Sequence, residues 1–221
     1  NDDSKLHFLL ARSFRAPTFN DLYWPATGVE EGNPNLQPEK GITTEFGVEK
    51  KFSKFLKIGL TYFRSDYDKL IKWQEDSDNI WRPKNIDSAI IQGVEQEFQI
   101  NPFDNLEIDM GYTFLRAKDD KTGKYLTYQP KHKANLSLLY KGFAGFNFGL
   151  KGEFVDRRFH NAANTIYVKR YYVLGLSLTK KVNSQLGLFT NVDNLLNKKY
   201  QSVRGYPLPG FSITSGMKLE F

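Results

Sequence analysis

Apolar and polar residues alternate one by one along about ten stretches of this chain, a pattern typical of β-strands. In the clearest stretch, Leu106 to Arg116, one face carries Leu106, Ile108, Met110, Tyr112 and Phe114. The opposite face carries Glu107, Asp109, Gly111 and Thr113. The last stretch, Phe211 to Phe221, repeats the pattern and ends on an aromatic residue. One face of each strand therefore suits an apolar medium and the other suits water.

The alternation predicts ten strands that are joined by connections of two lengths. The strands are expected at residues 5–13, 41–52, 56–62, 89–101, 106–116, 133–141, 146–157, 171–181, 186–194 and 211–221. Short turns are expected near 53–54, 102–104, 143–145 and 183–185, and long loops near 15–40, 75–88, 118–131, 158–169 and 195–210. Because outer-membrane barrels have this asymmetry, we predict an all-β, antiparallel, up-and-down transmembrane β-barrel segment of about ten strands, with short periplasmic turns and long extracellular loops.

A soluble β-sandwich or a small ligand-binding barrel also alternates. Sandwich strands average about five or six residues, whereas several stretches here reach the roughly ten residues that a tilted membrane strand needs. The polar faces also carry charges, such as Glu107 with Asp109 and Lys151 with Glu153, which are costly to bury in a core. The inverted arrangement, a soluble barrel with its apolar faces inside, stays open as an alternative on pattern alone.

Composition removes several other classes of protein. The 221 residues include no cysteine, so disulfides and thiolate metal sites are excluded. The net charge is +6, but lysine and arginine are scattered, so nucleic-acid binding is not expected. No apolar run approaches the length of a membrane-spanning helix. Residue 1 is Asn and no signal peptide is visible, so we expect the chain to begin inside a larger protein.

Two stretches carry motifs beyond the alternation. Residues 14–52 contain FRAP, then NPNL and PE, then a strand with Glu-x-Gly-x-Glu spacing. Residues 189–221 contain a second set, namely Asn191, Asn194, Leu195, Tyr200, Gly205, Pro207 and Phe221. In this order and at this distance from the chain end, the two sets resemble TonB-dependent outer-membrane receptors. The resemblance identifies residues 1–221 as the carboxy-terminal part of such a β-barrel, with the plug domain and the early strands outside this sequence.

The resemblance implies a receptor in the outer membrane of a Gram-negative bacterium that imports a scarce nutrient with energy from TonB. Its barrel would have about 22 strands. Its partners would be outer-membrane lipid, the missing amino-terminal strands and plug, TonB through that plug, the barrel assembly machinery and a small-molecule nutrient. The nutrient is expected to be cobalamin or a ferric siderophore, and no cofactor is expected. Haem is disfavoured because the haem branch carries a histidine between FRAP and NPNL, and the stretch from Thr18 to Gly32 has none.

Contact with the nutrient is expected from residues of the loops and of the barrel lumen, where aromatic rings and arginines suit a planar or anionic cargo. The candidates are Tyr23, Trp24, Trp81, Arg82, Arg157, Arg158, Arg204 and Tyr206. For Trp73 and Trp81, an interfacial belt or loop packing is the better interpretation. No metal site is predicted. The acidic run from Glu75 to Asn79 lacks the glycine and distal glutamate of an EF-hand, so a solvated loop is favoured.

The final strand has a second expected role. Thr214, Gly216, Leu219 and Phe221 resemble the polar-x-Gly-x-x-hydrophobic-x-aromatic signal that marks outer-membrane barrels for assembly. The run from Asn33 to Lys40 is rich in turn-forming residues. We expect that run to lead the first long loop back into the strand that starts near Gly41.

No nucleophile elbow or phosphate-binding loop is visible, and the protein is not expected to be an enzyme. The enzyme alternative is a complete ten-stranded outer-membrane protease. That alternative requires His132 or His160 to meet Asp119, Asp120 or Asp156 at the loop end of the barrel.

Overall fold

The computed structural model describes residues 3–142 and 144–220 and is built almost entirely from strands. A single short helix, α1, lies in the first long loop of this described part. In chain order the elements are β1 (Ser4–Arg15), α1 (Phe19–Tyr23), β2 (Glu39–Ser53), β3 (Leu56–Glu75), β4 (Trp81–Phe103), β5 (Leu106–Asp119), β6 (His132–Lys141), β7 (Phe146–Val155), β8 (Arg158–Phe159), β9 (Tyr167–Val168), β10 (Tyr171–Lys181), β11 (Leu186–Asp193), β12 (Gln201–Val203), β13 (Tyr206–Pro207) and β14 (Ser212–Leu219).

Ten of these strands form one antiparallel sheet in the order β1-β2-β3-β4-β5-β6-β7-β10-β11-β14. Each of the ten strands pairs with the one that precedes it and the one that follows it in chain order. The sheet is therefore an up-and-down meander. The short pairs β8-β9 and β12-β13 lie in the loops. Among the described residues β1 and β14 are not paired with each other, so the sheet is open. The prediction of about ten antiparallel strands is confirmed.

The two faces of the sheet separate apolar from polar side chains across its whole width. One register row runs through Ile100, Ile108, Leu138, Leu150, Leu176, Val192 and Ile213 on seven successive strands. The adjacent row of the opposite face contains Asp109, Ser137 and Lys151 in register. Side chains of one register row share a face of the sheet. The alternation along each strand therefore gives the sheet one continuous apolar surface and one continuous polar surface.

The polar face is the concave one. It lines a groove of about 820 Å³ whose walls include Lys133, Asn135, Lys151, Glu153 and Asn191. The apolar face lies on the other side and is widely exposed, with Phe8 at 67 %, Ile213 at 58 % and Met217 at 66 %. An exposed apolar surface of this extent marks contact with lipid or another protein. This arrangement is the reverse of the soluble barrel, which would need its apolar faces inside.

The prediction of a long loop over residues 75–88 is wrong. Strands β3 and β4 continue in register from Leu70 with Ile86 to Glu75 with Trp81, and only residues 76–80 connect them. The sequence hides this extension because its side chains no longer alternate clearly and because Pro83 lies within it. Pro83 cannot donate a ladder hydrogen bond. It is fully buried, and its carbonyl oxygen accepts a hydrogen bond from Asn33 Nδ2 at 3.1 Å.

A small core lies at the long-loop end of the sheet. Leu70, Ile86, Ala89, Ala117 and Leu126 are buried together, so the loop of residues 120–131 is anchored on β3, β4 and β5. Within the described residues, no helix has the length and apolar character needed to cross a bilayer. Packing of loops on strands therefore takes place at the long-loop end, where the candidate site lies.

Candidate functional site

The first part of the long-loop end, residues 16–38 and 76–80, is called here the amino-terminal rim. Its anchor is Arg15, the last residue of β1, which is paired in register with Glu39, the first residue of β2. The guanidinium makes two hydrogen bonds to the Glu39 carboxylate, at 2.9 and 3.1 Å. It also donates to the carbonyl oxygen of Ile71 at 3.2 Å, while Glu39 accepts the amide of Ile71 at 2.8 Å. The FRAP and PE motifs therefore meet in one ion pair that spans three strands.

Asp21 fixes the helix α1 to this anchor. Thr18 caps the helix and forms a capping box with Asp21, a local arrangement that satisfies otherwise unpaired amides. The buried Asp21 carboxylate also accepts the Trp73 indole N–H at 2.8 Å and lies 3.4 Å from Arg15 Nη1. Burial opposes ionisation, but the hydrogen bonds from Thr18 and Trp73 outweigh it and hold the pKa of Asp21 below its usual value. Trp73 therefore packs a loop, as the sequence suggested.

Arg82 neutralises the acidic connection between β3 and β4. It lies 3.0 Å from the carboxylate of Glu31, 2.8 Å from that of Asp78 and 3.5 Å from that of Asp76. These hydrogen bonds and charges hold the pKa of Asp78 below its usual value, with Arg82 as the main cause. The Asp76 and Asp78 carboxylates of this acidic run thus pair with a guanidinium, and Asp76 is also paired with Lys84 at 2.7 Å.

A central cluster of Glu75, Trp81, Tyr128 and His160 lies beside this rim. The Tyr128 hydroxyl and His160 Nδ1 are 2.5 Å apart, and the Trp81 and His160 ring centroids are 5.2 Å apart. His160 Nε2 lies 3.9 Å from the Glu75 carboxylate. Burial lowers the pKa of His160, the charge of Arg204 lowers it further, and Glu75 opposes the shift only in part. His160 therefore favours its neutral form. The Trp81 ring packs against Tyr128 and His160 rather than lying free.

The remaining loops, residues 156–170 and 194–211, are called here the carboxy-terminal rim. Its central cation is Arg158, which is 5 % exposed. Its Nη2 donates to the carbonyl oxygens of Gln201 and Ser202 at 2.8 and 2.7 Å, and its guanidinium lies 5.5 Å from the Tyr171 ring centroid. Burial lowers the pKa of Arg158. Its Nη1 is buried and, within the described part of the chain, has no hydrogen-bond partner.

Asn194 folds the last long loop from inside. It is 3 % exposed. Its side-chain amide donates to the carbonyl oxygens of Lys198 and Pro209 at 2.9 and 3.0 Å and accepts the Lys198 amide at 2.8 Å. Tyr200 packs on Tyr171 with ring centroids 4.6 Å apart. Asn194 and Tyr200 belong to the carboxy-terminal motif. Their contacts show that these two motif residues shape the loop.

The eight predicted contact residues fall into two groups. Trp81, Arg82 and Arg158 are held by the internal contacts described above. The other five have exposed side chains: Tyr23, Trp24, Arg157, Arg204 and Tyr206. Tyr23 and Trp24 close α1 in the amino-terminal rim. Arg204 lies in the turn of the β12-β13 hairpin, and Tyr206 begins β13. Arg157 lies 5.6 Å from the Tyr167 ring centroid. The structure thus brings Trp81, Arg158 and Arg204 around Tyr128 and His160.

Tyr128 and His160 were not among the predicted contact residues. Tyr128 has a positive φ of 59°, which is uncommon for a bulky residue, and the Arg204 backbone lies beside its hydroxyl. No local motif marks either residue, because their partners are distant in sequence. By contrast, the capping box of Thr18 and Asp21 is a readable sequence signal that our reading of the sequence missed.

The contacts expected for the protease alternative are not found among the described side chains. His132 Nδ1 lies 2.7 Å from the Tyr112 hydroxyl, and His160 faces Tyr128 and Glu75. No hydrogen bond or ion pair joins either histidine side chain to Asp119, Asp120 or Asp156 in the described residues, although the Asp156 amide donates to the His132 carbonyl oxygen at 2.9 Å.

The predicted assembly signal lies on the edge strand β14. Gly216 is paired with Phe189, and the Phe189 ring lies where a Cβ on residue 216 would be, within 2.6 Å. A larger residue at this position would therefore have to displace the Phe189 ring. Thr214 and Leu219 lie on β14 as expected, and Phe221 lies outside the described residues.

The Asn33 to Lys40 run has the expected structural role. Asn33 Oδ1 accepts the Asn35 amide at 3.0 Å and forms a turn. The Asn85 side chain bonds the Gln37 backbone at both its amide and its carbonyl, each at 2.8 Å. The run leads directly into β2 at Glu39, two residues earlier than predicted.

Comparison with known proteins agrees with the sequence motifs. Residues 1–195 match the family described as "TonB dependent receptor-like, beta-barrel". The vitamin B12 transporter BtuB of Photobacterium profundum is 31 % identical over 197 residues, covering 87 % of this chain and 31 % of the relative. A ferric enterobactin receptor of Pseudomonas aeruginosa is 25 % identical, covering 86 % and 30 %.

A solved structure shows the same fold. A variant of the ferric enterobactin receptor PfeA of Pseudomonas aeruginosa, in complex with enterobactin, superposes with a TM-score of 0.80 at 21 % identity, over 100 % of this chain and 39 % of that one. This chain therefore spans about a third of the length of its curated relatives. From its sequence match and its ten-stranded sheet, the chain belongs to the TonB-dependent receptor family and forms part of that family's β-barrel.

Proposed function

We propose that this chain is the carboxy-terminal barrel wall of a TonB-dependent outer-membrane receptor that imports cobalamin or a ferric siderophore. The observation that carries the proposal is the sheet itself, which has a polar concave face and an exposed apolar convex face. The first suits the interior of a filled barrel and the second suits hydrocarbon. The names of the relatives, a vitamin B12 transporter and ferric enterobactin receptors, support the two cargo classes.

The location and partners follow from this assignment. The receptor lies in the outer membrane of a Gram-negative bacterium, with its convex face in lipid and its long loops outside the cell. The open edges of β1 and β14 pair with further barrel strands, and the concave face encloses a plug domain that receives energy from TonB. Closing the sheet removes the two exposed edges that would otherwise promote aggregation.

Cargo contact belongs to the exposed predicted residues, Tyr23, Trp24, Arg157, Arg204 and Tyr206. Trp81, Arg82 and Arg158 act beneath them, because their side chains are already engaged by the loops. A buried guanidinium N–H without a partner is unfavourable. The unpartnered Nη1 of Arg158 therefore argues for a hydrogen-bond acceptor beside it when cargo is bound. Arginine with aromatic rings suits an anionic or planar ligand.

A transport assay tests the proposal and separates the two cargo classes. The complete receptor gene is deleted, and growth is measured with cobalamin as the limiting nutrient and, separately, with ferric siderophores as the sole iron source. We expect the deletion to abolish growth in one arm and an intact copy to restore it. Normal growth of the deletion strain in both arms would refute the proposal.

A paired variant tests the contact residues. We expect R204Q with Y206A to raise the cargo concentration for half-maximal uptake at least about tenfold, a loss of roughly 1.4 kcal/mol of binding. The control is R116Q, a strand residue on the face of Tyr112 and Phe114. Equal uptake by both variants at every cargo concentration would exclude Arg204 and Tyr206 as contacts.

The final strand is proposed to direct assembly through Thr214, Gly216, Leu219 and Phe221. Because Gly216 also packs against Phe189, a G216A variant alone would confuse packing with recognition. G216A combined with F189A removes the steric conflict. If the pair restores thermal stability in refolded protein but not insertion in cells, recognition of Gly216 by the assembly machinery is supported, whereas restoration of both would reduce its role to packing.

A further inference from the structure

A strongly basic cleft lies in the carboxy-terminal rim. It has a volume of about 660 Å³ and runs between residues 167–170 and residues 197–210. Its walls carry five cationic side chains, Lys169, Arg170, Lys198, Lys199 and Arg204. No aspartate or glutamate is among the described residues that line it. Five like charges around one cleft repel one another and create a positive potential that attracts an anion.

The cations of this cleft also lack carboxylate partners nearby. None of the five forms an ion pair in the part of the chain that the structure describes. Arg82, which lies on β4 beside the amino-terminal rim, by contrast contacts three carboxylates. The chain therefore neutralises its cations in one part of the long-loop end and leaves a group of them unneutralised in another.

One lysine of the cleft lies against the apolar face of the wall. Lys198 Nζ lies 5.3 Å from the ring centroid of Tyr172. Tyr172 shares its face of β10 with Leu174, Leu176 and Leu178, and Leu176 belongs to the apolar register row that crosses the sheet. Tyr172 is 51 % exposed and Leu176 is 41 % exposed. Lys198 thus connects the cleft to an aromatic ring on the apolar face.

We propose that this cleft binds the phosphorylated headgroup of a lipid in the outer leaflet, with the acyl chains of that lipid lying on the apolar row below Tyr172. Phosphate oxygens accept charge-assisted hydrogen bonds from lysine and arginine. Basic pockets at the edge of a membrane protein bind anionic headgroups in this way. A lipid satisfies both halves of the surface at once, whereas a soluble anion would occupy only the cleft.

This inference goes beyond the proposed transport function, because it assigns a second ligand and needs no particular cargo. Four of the five cations, Lys169, Arg170, Lys198 and Lys199, are outside the proposed cargo contacts. Arg204 is shared between the two sites and is left unchanged in the test. Loss of lipid binding and loss of cargo uptake can therefore be measured separately.

The test uses the complete receptor, purified in detergent, and lipid A as the probe. Binding is measured by native mass spectrometry for lipid A with both phosphates, for lipid A with its phosphates removed, and for inorganic phosphate. The variant is K169Q/R170Q/K198Q/K199Q. The control, K50Q/K51Q/K54Q/K57Q, removes the same charge at the short-turn end of β2 and β3. Cargo uptake is measured for both variants.

We expect the native receptor to prefer the phosphorylated lipid and the cleft variant to lose at least tenfold in affinity, because one cation near a headgroup contributes roughly fivefold. The control should keep its affinity, and both variants should keep cargo uptake. Equal binding of phosphorylated and dephosphorylated lipid would overturn the proposal. So would displacement of the lipid by inorganic phosphate at equal concentration, or a cleft variant that loses cargo uptake but retains lipid.

Discussion

The amino-terminal and carboxy-terminal rims use their charges in opposite ways. In the first, Arg15 and Arg82 are each held by carboxylates from other segments, and the loops are tied to the strands by these pairs. In the second, backbone carbonyls and a side-chain amide hold the loops in place of carboxylates. Arg158 donates to backbone carbonyls, and the Asn194 amide joins Lys198 to Pro209. The remaining cations of the second rim are left available.

This difference distinguishes the charges that stabilise the fold from the charges that are available to bind a ligand. An ion pair that is used to hold a loop has little capacity left for another anion. A cation without a carboxylate partner keeps that capacity, provided other contacts fold its loop. Variants of each kind should therefore separate stability from binding.

The largest effect is expected for D21A in the amino-terminal rim. Removing this carboxylate leaves the Trp73 indole and the Thr18 amide without their acceptor, which we expect to cost about 3 kcal/mol. Hydrogen exchange should show lost protection over residues 16–38. The control is D104A at an exposed turn of the opposite end. If both variants keep native protection, the amino-terminal rim does not depend on its buried carboxylate.

A smaller effect is expected for N194A in the carboxy-terminal rim. Three hydrogen bonds to the backbone are lost, which we expect to cost about 2 kcal/mol, since the groups involved are neutral. Limited proteolysis should cut residues 195–210 faster. N147A, which removes one hydrogen bond to Thr179 at 3.3 Å, provides the comparison. Faster cutting of the amino-terminal rim instead would contradict the separation of the two rims.

Acid should loosen the junction between the rims. The pKa of His160 is lowered in the folded protein by burial and by Arg204, with Glu75 opposing and the Tyr128 hydroxyl facing Nδ1. The folded state therefore takes up a proton less readily than the unfolded state. The contribution of neutral His160 to the free energy of unfolding is complete above a pH of about 6.5. It is lost as the pH falls toward the lowered pKa.

Fluorescence of Trp81, followed in a variant without the other two tryptophans, should report this loosening. We expect the acid-induced change to disappear in H160N. An unchanged pH profile in that variant would show that another group titrates at the junction.

The smallest effect on stability is expected for K199Q. This lysine has no ion pair among the described residues, so the free energy of unfolding should change by less than about 0.5 kcal/mol. R82Q makes the matched comparison, because it removes three ion pairs and should increase cleavage of residues 76–80 at low salt. A larger stability loss for K199Q than for R82Q would reverse the contrast between the rims.

The sheet was predictable because the surrounding media constrain each strand. The row from Ile100 through Leu138 to Ile213 must be apolar on every strand that it crosses, so the alternation appears in the sequence. The upper parts of β3 and β4 carry no such constraint. In the proposed receptor these parts lie beyond the bilayer, where both faces meet water or loops, and the sequence loses the period that would reveal a strand.

The contacts of the candidate site were much less predictable. Tyr128 with His160 and Arg158 with Ser202 join residues more than thirty positions apart, and no local pattern encodes such a pair. Residue type alone did suggest Trp81, Arg82 and Arg158, but it could not show that internal partners already hold them. Only the Thr18 and Asp21 cap had a local signal, because both partners lie within one helical turn.

The length of the β3-β4 ladder has a consequence for how the cell surface is approached. Twenty residues of β3 extend over about 65 Å at roughly 3.3 Å per residue, and only about ten of them are needed to cross the hydrocarbon. In the orientation proposed above, the tip at residues 76–80 therefore stands above the surrounding lipid on a two-stranded arm. Antibodies and phages should meet this arm early, and a short peptide tag inserted at its tip should be displayed on living cells.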